Sequence, residues 1–79
     1  MERNINERRE RAYSELKERI RKINRIEETG NPGEYSKAVR ECEAFLKGVM
    51  TMDPGGLWSE ANKQAKAEVD REGKLWMYR

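Results

Sequence analysis

The stretch Gly30-Asn31-Pro32-Gly33-Glu34-Tyr35-Ser36-Lys37-Ala38-Val39-Arg40-Glu41-Cys42-Glu43-Ala44-Phe45-Leu46-Lys47-Gly48-Val49-Met50 decides how this chain folds. Gly30 suits the left-handed residue just past a helix end. Asn31 suits the N-cap of a new helix, with Pro32 at its first position and Glu34 at the capping-box offset. Tyr35, Ala38, Val39, Cys42, Phe45, Leu46, Val49 and Met50 then recur at the three- and four-residue spacing of one buried helix face. The spacing predicts a helix over about 32–51.

Upstream, residues of about 3–28 carry Tyr13, Leu16, Ile20 and Ile23 at helical spacing, widened by Ala12 and Ile26. With so short a connection the two helices form an antiparallel hairpin. Tyr35, Val39, Cys42, Phe45, Leu46 and Val49 are expected to face Leu16, Ile20 and Ile23. Ile5 is the one apolar side chain between Glu2 and Arg11, so the first turns are expected to protrude or to depend on a partner.

Downstream, Asp53-Pro54-Gly55-Gly56 marks a second turn, and a third helix is expected over about 58–72. Its apolar positions, Trp58, Ala61, Ala65 and Val69, are mostly small and suit close helix packing. Gly73 reads as its stop, leaving an apolar tail over 74–79. The expected architecture is all-α: one domain, 1–79, built as a helical hairpin plus a shorter third helix, bundle-like and completed by oligomerisation.

Composition explains that last expectation. Of 79 residues, 41% are charged, against about 25% in an ordinary globular domain. Leu, Ile, Val and Phe together number twelve. The 17 basic and 15 acidic side chains nearly cancel to +2, so self-repulsion does not hold the chain open. A core in a chain of this size contributes only about 3–5 kcal/mol, which points to a homodimer or higher oligomer.

Several function classes fall away. Without histidine there is no His general base, Ser-His-Asp arrangement or His metal site. One cysteine, Cys42, makes neither an internal disulfide nor a zinc site and fits a reducing, cytoplasmic setting. It sits inside the apolar stripe between Glu41 and Glu43 and reads as a packing residue rather than a nucleophile. No apolar run reaches the ~20 residues of a membrane span, and Met1-Glu2-Arg3-Asn4 is unlike a signal peptide. No catalytic residue, metal or cofactor is expected.

Residues 8–25 hold eight basic and three acidic side chains, a local charge of +5. One reading places Arg8, Arg11, Arg19, Lys22 and Arg25 on the phosphates of a nucleic acid or small phosphorylated ligand. The favoured reading is a solvated or partner-facing helix. Glu7–Arg11, Glu15–Arg19 and Glu18–Lys22 stand at the i,i+4 spacing that engages such charges, and no helix-turn-helix, zinc finger or aromatic-basic RNA motif accompanies them. Asp53-Pro54-Gly55-Gly56 reads as an interhelical turn rather than an anion cradle, because no phosphate-loop lysine follows it. Leu16-Lys17-Glu18-Arg19-Ile20-Arg21-Lys22-Ile23-Asn24 is similar to the opening of helical chorismate mutases. Lys17 stands where that family has Arg, however, and Arg21 and Asn24 replace its two acids, so no membership follows.

The aromatic and apolar residues Tyr13, Trp58, Leu75, Trp76, Met77 and Tyr78 are the candidates for a partner interface, since Trp, Tyr and Met concentrate in interface cores. The expected function is that of a small non-enzymatic helical protein. It would act as an oligomer by binding and regulating another protein, in the manner of an inhibitor or adaptor. Such proteins are common among phage and viral regulators. The alternative is a basic helical module that binds phosphates.

Overall fold

The computed structural model describes the backbone of residues 2–77 and the side chains of residues 5–28 and 30–72. Helix α1 spans Glu2–Thr29, α2 spans Pro32–Met52, a short 3-10 turn covers Pro54–Gly56, and α3 spans Trp58–Met77. No strand occurs among the described residues. The all-α architecture expected from the sequence is present, and α1, about 42 Å long at 1.5 Å per residue, sets the 43 Å long dimension of the molecule.

The first connection forms as its residues dictate. Gly30 adopts φ +75° and its N–H donates to the carbonyls of Ile26 and Glu27, closing α1 in the left-handed geometry that glycine enters without strain. The Asn31 side chain accepts from the Glu34 N–H at 3.2 Å, with Pro32 opening α2.

Helix α1 is the spine of the fold. It packs against both α2 and α3, which touch each other least. Leu16 is fully buried at the centre, surrounded by Ile20, Cys42, Ala65 and Val69; Tyr13, Ile23, Phe45 and Leu46 pack around this cluster half-buried. Because α2 and α3 touch each other little over the spine, part of the α2 stripe stays uncovered. Tyr35 and Met50 remain exposed, and Phe45 packs at the margin of the cluster with the Arg19 guanidinium 4.8 Å over its ring.

Polar contacts knit α1 to α3. The Tyr13 hydroxyl donates to Glu68 Oε2 at 2.8 Å, the Arg21 guanidinium donates twice to Glu72 at 3.0 Å, and Asn24 Nδ2 donates to Asp70 at 3.3 Å. Lys17 adds an ion pair with Glu68 at 3.6 Å. Tyr13, Lys17, Arg21 and Asn24 are four, four and three residues apart, one face of a helix.

Three details depart from the sequence reading. Helix α3 does not stop at Gly73 but continues to Met77. A glycine ends a helix only where the chain beyond leaves the axis, and Lys74-Leu75-Trp76-Met77 contains no breaker. Glu18 pairs with Arg21 rather than Lys22, while Lys22 reaches across to Glu41 at 4.0 Å. Among the three expected i,i+4 pairs, Glu15–Arg19 forms at 3.1 Å, and no Glu7–Arg11 pair is made.

Candidate functional site

At the end of the molecule where α1 begins, α2 ends and α3 starts, one aspartate ties the three helices together. Arg9 on α1 donates through Nε to Asp53 Oδ2 at 2.7 Å and through Nη2 to Asp53 Oδ1 at 2.9 Å, the two-pronged geometry that suits guanidinium and carboxylate. Trp58, the first residue of α3, donates its indole N–H to the same carboxylate at 3.3 Å. Hydrogen bonding from Arg9 holds the Asp53 carboxyl below the ordinary aspartate range, with a further contribution from Trp58 against the opposing effect of burial. Gly56 allows this closeness: a Cβ there would run into the Trp58 indole nitrogen and stand 2.7 Å from Asp53 Oδ2.

Beside this tie lies an open groove of about 370 Å³, lined by Ile5, Arg8 and Ala12 of α1, Val49 and Met52 of α2, Trp58 of α3, and the Arg9–Asp53 pair. Its lining is mainly apolar, and much of that apolar surface meets water. Ile5 is 50% and Met52 86% exposed. Leu57, next in the chain to Trp58, is 68% exposed and held at φ 52°, ψ 47°. Left-handed backbone in a residue other than Gly, Asn or Asp is strained, by roughly 1–2 kcal/mol. The turn therefore holds a strained leucine whose side chain the fold does not bury. Arg9 is neutralised by Asp53, whereas Arg8 pairs with no carboxylate among the described residues.

The expected interface residues divide. Tyr13 packs against the core cluster and its hydroxyl donates to Glu68, within the α1–α3 contact. Trp58 is buried within the chain, though its ring also lines the groove. Leu75, Trp76, Met77 and Tyr78 lie outside the residues whose side chains are described.

The five cations proposed for phosphates are dispersed. Arg8 lies at the groove, and Arg25 is seventeen residues along α1, about 25 Å away. Arg19 is engaged by Glu15 and Phe45, and Arg11 is exposed without an ion pair among the described residues. Lys22 and Arg25 come together with Lys37 in a separate cleft of about 390 Å³, but Glu34 and Glu41 line the same cleft and offset most of the charge.

Cys42 is buried in the core, where burial pushes its thiol pKa up against the opposing influence of Arg19. No group of three His, Cys, Asp or Glu side chains placed to hold a metal occurs among the described residues. None of the described helices is long and apolar enough to cross a membrane.

Sequence reasoning did not single out Arg9, Met52 or Leu57, and read Asp53 only as part of a turn. One signal was available: Met52 and Leu57 flank the Asp53-Pro54-Gly55-Gly56 turn, where polar residues are the rule. The Arg9–Asp53 tie spans 44 residues and has no local signature. No known family, curated protein or solved structure matches the chain.

Proposed function

We propose that this chain is a non-enzymatic helical protein-binding module that works as an oligomer and presents the groove beside Arg9 and Asp53 to a protein target. The observation that carries the reading is surface. The chain exposes 6697 Å², whereas a compact monomer of 9.4 kDa exposes about 5000 Å². The difference is about twice the ~800 Å² that each partner buries in a standard protein–protein interface. Exposed Ile5, Met52 and Leu57 concentrate apolar surface at one end, the kind of patch that marks interaction sites.

The test of assembly is melting temperature against protein concentration, together with light scattering. Melting that rises with concentration supports shared burial. A mass of 9.4 kDa at every concentration overturns the oligomer. A second reading, phosphate binding, draws on the convergence of Lys22, Arg25 and Lys37. It requires affinity for duplex, single strand or RNA that falls with salt and whose salt slope flattens when Lys37→Gln is introduced. Absence of binding at low salt to all three nucleic acids removes them, and calorimetry with inorganic phosphate decides the small-ligand form.

A further inference from the structure

We propose that the groove beside Arg9 and Asp53 takes an amphipathic helix of a different protein, its apolar face seated on Ile5, Met52 and Trp58 and a carboxylate beside that face paired with Arg8. This rests on the reading of the groove as a partner surface and names the chemistry of the partner.

The charge of the groove sets the complement. Of its three charged lining residues, Arg9 and Asp53 neutralise one another through two hydrogen bonds, which leaves Arg8 as the net charge of the surface. Among the described residues no unpaired carboxylate lines it. A guanidinium beside apolar walls is matched by a carboxylate on a segment otherwise apolar. A second copy docking through the same patch would bring Arg8 toward Arg8, with Asp53 already engaged by Arg9 and no unpaired acid among the described lining residues, which disfavours self-docking here.

The walls set the shape. The groove runs between the first turns of α1 and the last turn of α2, and the described residues offer no sheet edge for an extended peptide to join. A helix presents apolar anchors at i, i+3 or i+4, and i+7, and fits such a trough. Met52 is the adaptable contact, since an unbranched thioether conforms to varied partners. Leu57 is fixed by its left-handed backbone next to Trp58. The Arg9–Asp53–Trp58 tie holds the trough open before any partner arrives, so little ordering is required on binding.

The test is selection of a displayed library of short helix-forming peptides against the intact chain, followed by fluorescence polarisation with a synthetic copy of the best binder. The expected binder carries apolar residues at helical spacing and one acidic residue beside them. Arg8→Glu should weaken it about fivefold or more, and replacing the peptide's acid with Lys should restore binding to the Arg8→Glu chain. A binder without an acid, or one indifferent to Arg8→Glu, overturns the proposed charge pairing. Met52→Asp then separates the two levels. If it abolishes binding while Arg8→Glu does not, the groove stands as a partner surface and the acidic helix falls. If neither variant changes affinity, or no peptide is selected, the groove reading falls as well.

Discussion

Leu16 carries more of this fold than any other single side chain. Among the described residues it is the one large side chain without solvent exposure, at the point where the spine meets both neighbouring helices. Leu16→Ala should therefore lower stability by about 2–5 kcal/mol in urea unfolding, enough to unfold a chain of this size. Phe45→Ala should cost less, about 1–2 kcal/mol, because its ring is only partly buried at the edge of the cluster, with Arg19 over one face. Equal losses for the two variants would contradict the placement of the core. The two stripes that hold these residues, one on α1 and one on α2, were legible from spacing alone, but which of their members would be covered was not. Periodicity identifies a face, whereas burial depends on how closely α2 and α3 meet over it, and they touch each other least. Cys42 was readable as a packing residue because its neighbours on the helix face are apolar.

At the scale of elements, the α1–α3 seam makes stability depend on pH in a definite way. Glu68 is held below the ordinary glutamate range first by the Tyr13 hydrogen bond, and Glu72 first by its bonds from Arg21. A carboxyl with a lowered folded pKa stabilises above its unfolded value, about 4.3, and that contribution is lost as pH falls through the folded value. Asp53, lowered by Arg9, acts in the same direction. Tyr13 has the opposite sign. Burial and the Glu68 bond raise it to about 12, so its contribution is complete below the unfolded value of about 10 and is lost as pH rises through about 12. Thermal melts across pH should fall off below about pH 4, less steeply in Glu72→Gln. Tyr13→Phe should remove a late-ionising component from an ultraviolet titration. Curves that coincide with wild type would show that the seam is not formed.

A second element-scale prediction concerns the end of α3. Gly73 lies within the helix rather than after it, where glycine is less favourable than alanine by about 0.8–1 kcal/mol. Gly73→Ala should accordingly raise both helicity and melting temperature. Were Gly73 instead a left-handed stop, the same change would destabilise, so the sign of the shift decides between the two structures. The first connection was legible because Gly30, Asn31 and Pro32 each act through backbone chemistry of their own. Gly73 was misleading because a lone glycine is a stop only in the company of residues that turn the chain. The groove was less legible still: its walls come from three helices, and the Arg9–Asp53 tie closes only when the second turn folds.

For the whole molecule the question is how so exposed a chain is covered, and the two ends of α3 give separable answers. Trp58 opens the helix at the groove, and Met77 closes it nineteen residues later, about 28 Å along the axis. Leu75, Trp76, Met77 and Tyr78 are four large apolar residues in a row in the sequence, and we propose that they serve self-association while the groove serves a different partner. Deleting residues 75–79 should then lower the light-scattering mass toward that of a single chain and abolish the rise of melting temperature with concentration. The helical circular dichroism signal should persist, because the cluster around Leu16 lies on other residues. Peptide binding at the groove should also persist, since the deletion removes nothing within about 25 Å of Trp58 along α3. A truncated chain that unfolds would assign the tail to the protomer's own core. One that keeps its oligomeric mass would place self-association elsewhere, and one that loses peptide binding while folded would show the two ends to be a single surface.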